Sequence, residues 1–255
     1  MPTRTVRGTV SGMADRANPA FAGAVIVLPL VALGYALTVA TVQQHTYVHV
    51  MAGLLWTGID VFMGAVLGPV VGGLDDEQSS AVFQRLTPKT SFLLPMLALV
   101  TIAAGITLAQ RLGLFPDAAP WLALFTFFNL IPALLLIAYR LNAWRDWRWQ
   151  LPFAVATVGS LAWVGLTFDL ILSGNVGFPM PAISVALILV TLLSVQGFGF
   201  LLPGEVRMYV EMTSERPDHS VIAAIGKQNA MLGGVQGVLQ LLLIADMVYL
   251  RFGGF

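Results

Sequence analysis

The sequence predicts an all-α fold, a polytopic transmembrane helix bundle of about seven spans, with its N-terminus in the cytoplasm and its C-terminus outside. Three observations predict it. Of the 255 residues, 57% are hydrophobic and only 10% are charged, whereas a soluble domain carries about 25% charged residues on a surface that faces water. The apolar residues gather into seven runs, most of them without a Lys or Arg. The cations gather in alternate segments between the runs, which puts nearly all of them on one side. At about 20 apolar residues per crossing plus a turn, these runs use nearly the whole chain and leave no room for a sizeable extramembrane domain.

Residues 1–19 carry Arg4, Arg7, Asp15 and Arg16 ahead of any apolar run and read as a cytoplasmic tail, with residues 20–255 as one transmembrane domain. The first run, 20–42, follows this basic start as the core of a signal peptide would. It is too long for one and lacks a clear small-x-small exit, so it reads as an uncleaved span. Further runs lie at 45–72, 91–109, 118–139, 151–173, 181–203 and 221–250. Between the fourth and fifth, Arg140, Trp144, Arg145, Trp147, Arg148 and Trp149 form an interfacial anchor, with aromatic rings at headgroup depth and cations beside them. If the N-terminus is inside, the inner segments hold Arg4, Arg7, Arg16, Arg85, Lys89, Arg140, Arg145, Arg148, Arg207, Arg216 and Lys227, and the outer ones only Arg111 and Arg251. That positive-inside bias sets the direction of every span and suits a multi-pass protein of the plasma membrane.

The second and sixth spans both run inward and both end near a Gly/Pro pair, Gly68-Pro69 and Pro203-Gly204. A charged loop follows each, 75–89 and 205–227, and leads into the next span. This pattern hints at a parallel duplication with halves 20–115 and 151–255, related by an axis along the membrane normal. Gly233 and Gly237 form a small-xxx-small pair, and Gly53, Gly64 and Gly68 thin one side of the second span. Small residues let helix backbones approach where lipid offers no hydrophobic push.

Formal net charge is zero, so neither half reads as a nucleic-acid surface. There is no cysteine, which removes disulfides, thiolate metal sites, Fe–S clusters and thiol catalysis together. No nucleotide loop, serine triad or hydrolase carboxylate pair is visible, and no catalytic residue is assigned.

The second span carries most of the chemistry. At about 100° per residue, His45, His49, Ala52, Trp56, Asp60 and Met63 fall within a wedge of roughly 80°. Two imidazoles at the outer end, four residues apart, have the spacing that lets two ring nitrogens reach one ion. Asp60 lies near mid-membrane, where a carboxylate is expensive and normally faces protein or water. Asp169 and Asp246 lie about one turn from the outer ends of the fifth and seventh spans, level with the histidines, and Met180 enters the sixth span at similar height. A metal site would therefore use His45, His49, Asp169 and Asp246. Below it, Asp60, Gln196, Gln236 and Gln240 continue a polar track towards Glu205, Arg207 and Lys227. The bland alternative has the histidines bonding headgroups, the amides joining helices and His219 solvated in its loop.

The string His45-x3-His49, then Leu55-Trp56-x-Gly58, Phe62 and Gly68-Pro69 before a short charged loop, resembles a bacterial and archaeal superfamily of copper-resistance D-type proteins and related haem-associated membrane proteins. The resemblance covers the second and third spans. It implies copper uptake or haem b binding, with an early-span histidine ahead of the W-x-G motif. The sixth span has no histidine, so it implies either His45 or His49 with Met180, or a five-coordinate iron. Three functions follow as expectations. The first is capture and passage of a metal ion, copper favoured, or of protons. The second is a haem b redox protein. The third is a non-catalytic subunit of a membrane complex or homo-oligomer.

Overall fold

The computed structural model describes residues 6–253. Arg4 and the chain ends lie outside the described residues. Those described form helices without a strand: α1 (Val6–Ala17), α2 (Pro19–Thr38), α3 (Val42–Phe62), α4 (Gly68–Gly72), α5 (Asp76–Arg111), α6 (Ala118–Arg140), α7 (Trp147–Leu172), α8 (Pro181–Gln196), α9 (Leu202–Met212) and α10 (His219–Phe252). π-Helical turns at Met63–Leu67 and Gly197–Leu201 join α3 to α4 and α8 to α9. Counting through those turns, seven helices are long and apolar enough to cross a membrane. The protein is a multi-pass, all-helical membrane protein.

Five of the seven spans, all but α6 and α8, start where a side chain satisfies free amides of a first turn, which lipid cannot do. Asn18 Oδ1 accepts from the Ala20 N–H at 2.9 Å ahead of Pro19. Thr41 and Gln44 close a reciprocal capping box, with Oε1 of Gln44 2.8 Å from the Thr41 amide nitrogen. Asp75, Asp146 and Asp218 cap α5, α7 and α10 in the same way.

Ahead of the first span, α1 packs Gly12 directly against the Tyr209 hydroxyl. Two sequence expectations change. The supposed loop 75–89 is helix from Asp76 onwards. Its acids Asp76 and Glu77 sit in the first turn, where the helix dipole favours them. The segment 205–227 is mostly helix as well, since α9 runs to Met212 and α10 begins at His219.

The second span ends at Gly72, just past Gly68-Pro69 as expected, whereas the sixth runs on well beyond Pro203 to Met212. Pro69 has no N–H, and its ring would strike the carbonyl four residues back in an α-turn. The chain widens there instead, and the Gly68 N–H reaches the Met63 carbonyl, a five-residue step. The same device precedes Pro203, and helix continues beyond both prolines.

The chain divides into two compact units. One comprises Met1–Gly105 and Leu201–Val238, the other Ile106–Phe200 and Leu239–Phe255. In the first, Val71, Phe83, Met208, Met212, Ile222 and Ile225 form the core. Gly226 lies flush under the Phe83 ring, and Gly64 meets Gly234 backbone to backbone. A side chain at either glycine would drive its helix off its neighbour, which is the close approach that the small residues predict. In the second unit, Phe115, Ala118 and Ile183 pack together against Trp121, Leu187 and Leu250. There Trp121 lies 5.0 Å from the Phe178 ring, and the Arg140 guanidinium sits 4.0 Å over Phe200.

Candidate functional site

The wedge predicted on the second span faces protein. His45, Ala52, Trp56 and Asp60 are buried, and His49 and Met63 are half-buried. His45 and Asp60 are each only 2% exposed, so neither is a headgroup ligand nor a lipid-facing residue.

Both imidazoles turn towards α5. His45 Nε2 lies 3.0 Å from the Ala104 carbonyl oxygen, and His49 Nδ1 lies 2.9 Å from that of Thr101. A carbonyl only accepts, so each ring donates, and the neutral tautomers are opposite: His45 carries its proton on Nε2 and His49 on Nδ1. The His49 ring also lies so close to Gly105 that a Cβ there would come within 2.7 Å of its Cε1. Glycine at that position is what lets the ring lie against α5.

These two bonds set the register between α3 and α5. From His49 on to Asp60 is as many residues as from Thr101 back to Thr90, and the helices run antiparallel, so Asp60 reaches the level of Thr90. On α10, Gly233 comes to the same place. A Cβ there would lie 3.8 Å from Asp60 Oδ1 and 3.4 Å from Met63 Cβ. Gln236, 2% exposed, sits between Gly233 and Gly237, the latter pressed onto Val61.

A second carboxyl meets the same level of α5. Thr90 Oγ1 donates to Glu205 Oε1 at 2.8 Å, and the Ser91 hydroxyl, which donates to the Thr87 carbonyl at 2.8 Å, lies beside the same carboxylate. Glu205 lies in the first turn of α9, just past the π turn. On α10, Asn229 Nδ2 donates to the Leu201 carbonyl at 3.1 Å. Towards the loops, Lys227 pairs with Asp76 at 3.4 Å and also donates to the Leu74 carbonyl. His219, expected to be solvated, does have an exposed side chain, but its Nδ1 sits 2.9 Å from the buried Ser80 hydroxyl. Beside it, the side-chain hydroxyl of Ser220, then the Ser220 and Val221 amides, donate to Asp218 and hold its carboxyl below the usual range.

The remaining sequence candidates belong to the other unit. Asp169 is exposed on α7, Asp246 is half-buried on α10, and Met180 caps α8 with 48% exposure. Gln196 is half-buried and Gln240 is buried, both also in that unit. Among the described residues no three His, Asp or Glu side chains are grouped as a metal ion would need. Of the set His45, His49, Asp169 and Asp246, the histidines belong to one unit and the acids to the other, and one nitrogen of each imidazole is engaged by an α5 carbonyl.

No protein-family model, no curated protein and no solved structure matches the chain. The fold and the site define its class, a multi-pass helical membrane protein with titratable groups sealed inside one helical unit.

Proposed function

We propose that this protein moves protons across the membrane, alone or coupled to a cation, with Asp60 as the mid-membrane carrier. The observation that carries the reading is the placement of Asp60, 2% exposed at a glycine-lined helix crossing. A carboxyl kept at that depth is costly and marks ion or proton pathways in membrane proteins. His49 serves the outer end. Its Nδ1–H is held by Thr101, so Nε2 carries the lone pair that takes a proton. About 16 Å of helix separates His49 from Asp60, so transfer between them runs over intervening polar groups. Thr57, one turn before Asp60 on α3, and Gln236, one turn after Gly233 on α10, are buried polar residues available for it.

The orientation belongs to the same reading. The cation bias puts the N-terminus in the cytoplasm of a plasma-membrane protein. Paired π turns ahead of Pro69 and Pro203, each followed by a short helix and then by a helix of more than 30 residues, support a parallel repeat of the two halves.

The test is flux in proteoliposomes with an entrapped pH dye and an imposed membrane potential, without and with copper or zinc outside. Wild-type protein acidifies the lumen, and Asp60→Asn removes the signal. Equal flux for wild type, variant and empty vesicles under all conditions would sink the reading.

One observation favours a second reading, a copper or haem ligand. Histidines that bind metals usually donate their other ring N–H to a carbonyl or carboxylate, and His45 and His49 both donate to carbonyls. Within their unit no third His, Asp or Glu joins them, so the remaining positions would fall to non-protein ligands. A Soret band, or copper retained on purification and lost in His45→Ala/His49→Ala, establishes this role. Neither signal with ample haem and copper supply removes it.

A further inference from the structure

We propose a sodium site beside the π turn of the sixth span, formed by the Glu205 carboxylate, the Thr90 and Ser91 hydroxyls and the Asn229 amide oxygen. The carboxylate and the Thr90 hydroxyl are 2.8 Å apart, and the Ser91 hydroxyl, whose proton goes to the Thr87 carbonyl at 2.8 Å, lies beside the same carboxylate. Asn229 adds the second, independent observation. It is 9% exposed, and its Nδ2 is committed to the Leu201 carbonyl at 3.1 Å. Its Oδ1 is buried without a hydrogen-bond partner among the described residues. Leu201 closes the π turn, and Glu205 follows it by one helical turn, so the bond to the Leu201 carbonyl brings the Asn229 amide to the start of the helix that carries Glu205. A buried acceptor left unbonded is costly, and a cation relieves that cost.

The donor set selects the ligand. All the groups are oxygens, which suit hard cations, whereas copper and zinc favour nitrogen and sulfur. A single carboxylate balances one positive charge, and calcium would ask for six to eight oxygens. The Thr90 hydroxyl carries one proton and lies within reach of both Glu205 and the Thr87 carbonyl, at 3.1 Å from the latter. It can give that proton to Thr87 and turn a lone pair to the cation. Discontinuous spans with widened backbone turns place cation sites in this manner.

The site does not depend on proton movement through Asp60, because sodium binding is measured without transport. The experiment reads radioactive sodium binding to the purified full chain, with thermal unfolding in sodium, potassium and choline chloride at equal ionic strength. Wild type and Asp60→Asn bind sodium saturably and unfold at a higher temperature in sodium than in the other salts. Glu205→Gln loses both signals, and Asn229→Ala weakens them. Thr90→Ala, a milder change, also weakens binding, and it keeps the test open if Glu205→Gln does not fold. Identical unfolding in all three salts with no saturable binding, or a sodium effect that survives Glu205→Gln, overturns the site.

Discussion

Gly64 and Gly226 show how much a single atom decides here. Gly64 touches the Gly234 backbone, and Gly226 lies under the Phe83 ring. Gly64→Ala therefore separates α3 from α10 at the level of Asp60, a change of the overpacking kind that costs about 1–3 kcal/mol. Detergent unfolding checks it, and a midpoint equal to wild type contradicts it. Gly226→Ala destabilises as well, but its obstacle is a side chain, so Phe83→Leu in the same molecule restores part of the loss. If the double variant is as unstable as the sum of the single ones, the ring is not the obstacle. His45 and His49 obey the same local logic. His49 lies on Gly105, and Gly105→Val displaces the ring, so it disturbs His49 without altering any titratable group.

At the scale of elements, the π turns and the helix starts are the devices that matter. Pro69→Ala returns the missing N–H and removes the clash, so the Met63–Leu67 turn can tighten to α geometry. That rotates Asp60 relative to everything beyond the turn, and proton flux falls while the fold persists. Flux unchanged in Pro69→Ala would show that the turn has no part in placing Asp60. The start of α10 responds to pH. Asp218 accepts from Ser220 and Val221, and its carboxyl is held below the ordinary value. A depressed folded value means that the cap contributes above the unfolded value, about 3.9, and is lost as pH falls through the folded one. Amide exchange in the first turn of α10 therefore accelerates in acid, and Asp218→Ala makes it fast at neutral pH too. Part of this was legible beforehand, because Asp146 and Asp218 stand just ahead of the runs at 151 and 221. The extent of α5 was not, since residues 75–89 are as charged as a loop. Their helix is settled by the packing of Phe83 with Val71 and Ile222, not by composition.

For the whole molecule, a chain without cysteine makes topology directly testable. Single cysteines placed at Ser173 and Ser214 carry the two predictions of the cation count. An impermeant maleimide added outside whole cells labels position 173 and leaves 214 unmodified; the reverse pattern inverts the proposed orientation. Helix α7 has Ser160 as its one buried residue, while Leu166 is 83% exposed. In a bilayer that face belongs to lipid, so Leu166→Asp is predicted to impair insertion and is checked by its yield in the membrane fraction. The number of spans and the wedge of polar residues on the second one were determined by sequence alone, because hydrophobic length and helical period are local properties. The face that this wedge meets was decided by tertiary structure. Burial of His45 and Asp60, the bond from Thr90 to Glu205 and the unbonded oxygen of Asn229 all depend on which helices adjoin, at what register and how closely their glycines let them come. Those are relations between residues far apart in the chain, and no window of sequence contains them.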